Sequence, residues 1–327
     1  MNSFSSYNCA FDARKVKWDL VTLAEMKRLI INADDFGLAP GVNRAIVELQ
    51  QAGALSSTTL MATGPYFSPA VYMAFVQPRL AVGCHVVLVD GSPCLRPGEV
   101  PSLLDPQDPS SFRTTVGSFV SDLLRGRIRG KEIEAEAIAQ IRRIQSSGLT
   151  VSHIDSHKHL HAFPRVLAPL LRAARHCGVH CVRNPFEPGW SLRATRTGGT
   201  VRRLQVQLMR SQRRTFSRLT REHAMCTADG SIGLLATGVL DDAVLRSLLR
   251  AMPEGTWELV CHPGYVDGAL EQARTRLRAA RETERNALLD VIPEALRNDE
   301  ELNLIDFHRL GIEGTGSKCA LKRGFQE

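Results

Sequence analysis

From Arg28 to Ile305 the chain repeats one order: a short apolar run rich in β-branched residues, a polar or Gly-containing turn, then a segment of helical period. The strand-like runs fall at 28–32, 57–62, 80–85, 149–154, 179–182, 257–261 and 302–305. Helical segments follow at 41–52, 68–75, 114–125, 131–147 and 164–177. Such alternation predicts an α/β fold with a parallel sheet, because a parallel connection must travel back along the sheet and a helix does so while covering one face. Seven or eight strands favour a TIM-like (β/α) barrel, distorted from the regular eightfold form, over an open sheet. Only closure brings the ends of the first and last strands around one pocket.

The 327 residues, 43% of them apolar, suffice for one large core, and no break in composition calls for two domains. We expect a single domain over 26–311, a disordered N-terminal extension over 1–25 and a flexible tail over 312–327. The eight cysteines form no CxxC pair and no regular framework, which is the usage of a reducing compartment. No run reaches the roughly 20 apolar residues of a membrane span, and the first 25 residues lack the charged-then-apolar order of a signal peptide. The expected location is cytoplasmic, with peripheral contact at the inner face of the membrane. Neither GxGxxG nor GxxxxGK[ST] occurs, which argues against a nucleotide or dinucleotide site.

Titratable residues gather where the strands end. Asp34 and Asp35 close the first run, His85 the third, and His153, Asp155, His157, His159 and His161 run out of the fourth; Arg183 follows the fifth and His262 a later one. In parallel α/β folds these ends share a pocket. Together the residues read as an Asp/His/His metal site with a second carboxylate beside it, a combination suited to hydrolysis: a divalent ion acidifies water while a free base takes its proton. Adjacent carboxylates repel one another unless a cation lies between them. The five alternating residues from His153 to His161 share one parity, so a strand would present them to one side; the turn into the next helix by Pro164 prevents all four imidazoles from binding one ion. His262, before a Pro-Gly turn, suits protonation of a departing amine. Arg183 suits substrate binding or the tuning of a carboxylate.

The net charge of +7 is unevenly placed. Nine arginines (193, 196, 202, 203, 210, 213, 214, 218 and 221) lie between Trp190 and Arg221 with no acid among them. Val201, Leu204, Leu208, Met209, Phe216 and Leu219 recur among them at roughly helical spacing. That pattern predicts a helix at an anionic membrane surface with its apolar face inward. The same arginines also admit a phosphate-gripping phosphoesterase, or a non-enzymatic protein that binds anionic lipid or nucleic acid around a structural metal. Structural sites close their coordination shell, however, and the spare carboxylate then has no purpose.

The segments Asn32-Ala33-Asp34-Asp35-Phe36-Gly37, Ser56-Ser57-Thr58-Thr59-Leu60-Met61, Gly83-Cys84-His85, His153 through His161 and Cys261-His262-Pro263-Gly264 resemble the YdjC-like carbohydrate deacetylases, from about Arg28 to Arg309. Arg183-Asn184-Pro185-Phe186-Glu187-Pro188-Gly189-Trp190 and the basic stretch after it resemble the branch associated with hopanoid biosynthesis. The resemblance implies a metal-dependent N-deacetylase that removes acetyl from an N-acetylglucosaminyl hopanoid lipid, with soluble chito-oligosaccharides as the alternative substrate. It implies one divalent ion, Mg or Zn, held by Asp35, His85 and His157, with Asp34 as base and His262 as general acid. By analogy with NodB-type deacetylases the two Asp roles are assigned in that order, and they are exchangeable. Arg183, His153, Asp155, His159 and His161 are then expected around the substrate. A sugar or glycolipid is the expected partner, nucleic acid is not, and a homo-oligomer is compatible with the sequence.

Overall fold

A computed structural model describes residues 26–197 and 199–313, so the two expected tails lie almost wholly outside the described residues. The first strand, β1 (Lys27–Phe36), is buried along nearly its whole length, as a strand covered on both faces must be. Helix α1 (Pro40–Gln51) leads to β2 (Ser57–Leu60), α2 (Phe67–Phe75) to β3 (Ala81–Val86), and α3 (Val116–Leu124) with α4 (Gly130–Ser146) to β4 (Val151–Ser156). After β4 come α5 (Pro164–His176), the short α6 (Gly189–Ala194), α7 (Thr200–Arg210) and α8 (Arg213–Glu222). The chain then forms β5 (Gly230–Ile232), α9 (Asp242–Ala251), β6 (Gly255–Cys261), α10 (Gly268–Gln272), α11 (Ala279–Asn298) and β7 (Leu302–Leu304).

All the ladders are parallel, in the order β4-β3-β2-β1-β6-β5, with β7 paired to the start of β1. The result is a curled seven-stranded sheet. Among the described residues, the circuit between β4 and β5 continues through isolated bridges, Ile154 to Val182 and Cys181 to Cys226. The strand expected at 179–182 is thus reduced to bridge residues, and the three-residue β5 takes a place that the sequence pattern had not marked.

The main core lies between sheet and helices, where α4 contributes Ile133, Ala137, Ile141 and Ile144 and α5 contributes Val166, Leu167, Leu170 and Leu171. These recur every three or four residues, so each helix turns one stripe to the sheet. A second, small cluster of Ile30, Cys181, Cys226, Ile305, Phe307 and Leu310 brings together β1, the bridge segments and the chain just past β7. His153 stacks on Phe307, its ring centre 3.7 Å away. Gly83 leaves room for that ring: a Cβ there would lie 2.4 Å from His153 Cε1.

The Pro-rich loop over 89–113 is tied to α4. Glu136 accepts from the amides of Cys94 and Leu95 at 2.7 and 3.1 Å, and Glu132 from that of Ser102 at 2.7 Å. The arginine-rich segment divides differently from the expected single apolar face. On α7, Val201, Leu204 and Leu208 point outward, 70%, 67% and 72% exposed, whereas Phe216 of α8 is buried against Phe186. Arg202 and Arg203 turn inward to the carbonyls of Leu234, Leu192 and Thr195, and Arg213, Arg214, Arg218 and Arg221 remain exposed.

Candidate metal centre

A regular strand would send Asp34 and Asp35 to opposite faces. Here the register of β1 against β2 shifts between Ala33 and Phe36, and Asp35 takes a φ of 67°. This left-handed conformation costs an Asp about 1–3 kcal/mol and is found where surrounding structure enforces it. Its consequence is that both carboxylates reach the same pocket.

His85 ends β3 beside β4, in register with Asp155. Its Nδ1 lies 2.7 Å from Asp155 Oδ1, so a proton on Nδ1 is held by the carboxylate and the Nε2 lone pair is left for another partner. Beyond Ser156 the strand gives way to a 3₁₀ turn, His157–Ala162, with Lys158 and His159 at φ of 56° and 55°. The shared parity expected from His153 to His161 therefore stops at Asp155. His157 is instead swung back over His85, its Nδ1 3.3 Å from His85 Nε2.

Asp35 Oδ1 completes a triangle, 3.6 Å from His85 Nε2 and 3.4 Å from His157 Nδ1. Ligand atoms around a tetrahedral ion with bonds of about 2.1 Å are about 3.4 Å apart, so the three atoms fit one divalent cation. Three protein ligands leave at least one position for water or substrate, as catalytic sites do. A second grouping, Asp34, His85 and Asp155, is also compact. Its carboxylates are already committed to Arg183, which makes it the poorer cation site.

Arg183 is fully buried and organises that second layer. Its guanidinium grips Asp34 through two hydrogen bonds of 2.9 and 2.7 Å, meets Asp155 Oδ2 at 2.5 Å and donates from Nε to Glu258 at 2.7 Å. Asn32 Nδ2 donates to Asp34 Oδ1 at 3.0 Å, and Thr59 Oγ1 lies within 3.2 Å of the same oxygen. Burial alone would raise the pKa of Asp34; Arg183 and His85 outweigh it and hold the carboxyl far below the usual range. Burial raises Glu258 to about 7 against the pull of Arg183. Burial also opposes charge on His85, yet Asp155, Asp34 and Asp35 raise it to about 9 when no cation is bound.

His262 follows β6, with Nε2 3.8 Å from Asp34 Oδ2 and its backbone N–H donating to Glu284 at 2.6 Å. Burial lowers its pKa, with Glu284 and Asp34 opposing. The structure thus gathers Asp34, Asp35, His85, Asp155, His157, Arg183 and His262. His153 lies in the layer against Phe307, and burial holds it neutral. His159 and His161 meet edge to face at 6.1 Å between ring centres, with His161 Nδ1 2.8 Å from Ser156 Oγ.

Four participants escaped the sequence reading. Thr59 and Glu258 sit in strands whose apolar neighbours drew attention first. Arg281 and Glu284 belong to a densely charged stretch, 271–285, that reads as a solvated helix face, yet both are buried. Arg281 donates to Asp35 Oδ2 at 2.5 Å.

The profile of the family described as YdjC-like protein matches residues 28–297. A carbohydrate deacetylase of Brevibacillus brevis is 33% identical over 288 residues, covering 87% of this chain and all of its own. One from Thermoanaerobacter pseudethanolicus is 30% identical over 265 residues, covering 81% and 92%. A crystal structure from Enterococcus faecalis V583, of a protein assigned to cellobiose-phosphate cleavage, superposes with a TM-score of 0.68 at 26% identity, covering 88% of this chain and 99% of that one. With its strand-end carboxylates and imidazoles and a profile match over most of its length, the chain belongs to the YdjC-like family.

Proposed function

We propose that the protein is a metal-dependent carbohydrate N-deacetylase, and the observation that carries this is the Asp35–His85–His157 triangle with the Arg183-held carboxylate of Asp34, outside the triangle, beside it. The description of its relatives as carbohydrate deacetylases supports the substrate class. A divalent ion, Mg or Zn in our reading, supplies Lewis-acid polarisation of the acetamide carbonyl and acidifies a water.

The protein's own groups then manage the proton. Arg183 keeps Asp34 ionised and fixed in orientation outside the ligand triangle, and although the same contact weakens it as a base, Asp34 is the carboxylate we assign to receive the proton of the attacking water. His262 is neutral near pH 7 because of its burial, and at 3.8 Å from Asp34 it takes that proton on before passing it to the departing nitrogen. The C–N bond breaks, the water oxygen stays on the acetyl carbon, and acetate and a free amine leave. Asp155 and Arg183, wholly buried, hold His85 and Asp34 in place. His153 is wholly buried against Phe307 and His161 against Ser156, so of the histidines expected around the substrate only the partly exposed His159 is assigned there.

For the substrate we favour an N-acetylglucosaminyl lipid of the hopanoid type over soluble chito-oligosaccharides, with the protein held peripherally at the inner face of an anionic membrane. The outward stripe Val201, Leu204 and Leu208 beside the exposed arginines of α8 supports that preference. Among the described residues no helix is long and apolar enough to cross a membrane, so contact would be at the surface.

The test pairs chemistry with binding. Wild type and Asp34→Asn are loaded with metal and given N-acetylglucosaminyl lipid or chitobiose, and acetate and free amine are both measured. Asp34→Asn should bind metal as wild type does and lose about 10²–10⁴-fold in turnover. Equal turnover in the variant would remove Asp34 from the proton path, and phosphate release from a phosphoester without acetate release would point to the phosphoesterase instead.

A further inference from the structure

Asp35 has its two oxygens assigned to different partners. Oδ1 belongs to the triangle with His85 and His157, while Oδ2 accepts from Arg281 Nη2 at 2.5 Å. Arg281 is the third residue of α11 and is buried. Its reach is set by the start of that helix: its carbonyl accepts from the Gly264 amide at 3.2 Å, and its own Nε donates to the Leu277 carbonyl at 3.1 Å. A Cβ at Gly264 would stand 3.1 Å from Arg281 Cδ and 3.2 Å from Val42 Cγ2, so the smallest residue lets the side chain pass. Three residues on, Glu284 accepts from the amides of His262 and Gly238 at 2.6 and 3.1 Å, anchoring the same helical turn to the end of β6.

Neutralising the buried Asp35 does not by itself require an arginine with a second, unmet nitrogen. Arg281 Nη1 is buried and finds no acceptor among the described residues, and an unmet guanidinium donor in the interior is destabilising. The chemistry of the carboxylate does give a reason for one. With both oxygens free, Asp35 can chelate a cation through two bonds and fill the position that water or the acetamide oxygen needs.

We infer that Arg281 is a positioning residue that restricts Asp35 to ligation through Oδ1 and so keeps a coordination position open. This rests on the reading of Asp35, His85 and His157 as the metal ligands. The guanidinium takes the second oxygen out of reach of the ion, and the ligand count stays at three from the protein.

The experiment uses Co²⁺ alone as probe in the full-length protein, because the visible absorption of Co²⁺ weakens as its coordination number rises. Wild type, Arg281→Gln and Arg281→Lys are titrated with Co²⁺, and spectrum, affinity, kcat and KM are recorded for each. Arg281→Gln should show a weaker band and a kcat lower by about 10- to 100-fold, the usual cost of losing a group that orients a ligand. Its KM should change little. Arg281→Lys, which restores a cation to Oδ2, should recover the band and most of the turnover. A Gln variant with the wild-type band and turnover overturns the inference. So does a Lys variant that folds but matches Gln in spectrum, or a pair of variants that both fail to fold, since Arg281 would then be structural. Absence of Co²⁺ binding by wild type, or binding indifferent to His85→Ala, instead defeats the metal reading on which the inference stands.

Discussion

His85 carries the sharpest residue-level consequence. Its folded pKa of about 9 lies above the ordinary 6.5, so in metal-free protein the imidazolium stabilises the fold. The contribution is complete below about pH 6.5 and disappears as pH rises through about 9; a shift of this size corresponds to roughly 3 kcal/mol. A bound cation takes the place of that proton, so the loss belongs to chelator-treated protein. Thermal melts between pH 7 and 9.5 should show a falling midpoint in EDTA, a flatter profile with metal, and no such fall in His85→Gln. A midpoint in EDTA that is level or rises with pH would remove the imidazolium from the account. Asp35 and His157 show what the sequence concealed at this scale. Their types and order announce ligands, but their aim depends on backbone at φ of 67° for Asp35 and on the left-handed pair that follows His157, and neither Asp, Lys nor His advertises a left-handed conformation as Gly does.

At the scale of elements, runs carrying apolar or β-branched residues were legible even when short, as β2 and the three-residue β7 show. β1, β3 and β6 are buried on both faces and each carries a largely apolar run, whereas β4, Val151-Ser152-His153-Ile154-Asp155-Ser156, is equally buried and was marked by the β-prone residues that enter it from the Gly148 turn. β5, Gly230-Ser231-Ile232, was missed because it offers a single β-branched residue after Gly and Ser, which read as a turn. The segment over 179–182 has strand composition but only isolated bridges, because composition reports a preference and pairing requires a neighbour along its length. α11 was hidden for another reason. Its first turns combine the buried Arg281 and Glu284 with exposed charged residues, and a charged helix is ordinarily read as solvated. The two residues that secure Asp35 and His262 therefore carried no local signal.

At the scale of the whole molecule, the arginine-rich segment sets how the protein meets its surroundings. Arg202 and Arg203 are spent on backbone carbonyls and Arg218 pairs with Glu222 at 3.0 Å, so the exposed positive charge resides on Arg193 and Arg196 before α7 and on Arg213, Arg214 and Arg221 of α8. A surface of that kind complements an anionic bilayer, with each arginine near it contributing about 1 kcal/mol. Flotation with vesicles of mixed neutral and anionic lipid should carry the protein upward. Replacing Arg213, Arg214, Arg218 and Arg221 by Gln should reduce that fraction at least tenfold, as should added salt. Equal flotation with neutral vesicles, or none at all, would assign α7 and α8 to some other contact.

In the proposed mechanism Asp35, His85 and His157 hold one divalent ion with a position to spare. Anomalous diffraction from crystals grown with Zn²⁺ locates the ion without reference to activity. A single strong peak is expected about 2.0–2.2 Å from Asp35 Oδ1, His85 Nε2 and His157 Nδ1, with a water as a further ligand. A peak between Asp34, His85 and Asp155, or a shell closed by a fourth protein ligand, would contradict that assignment.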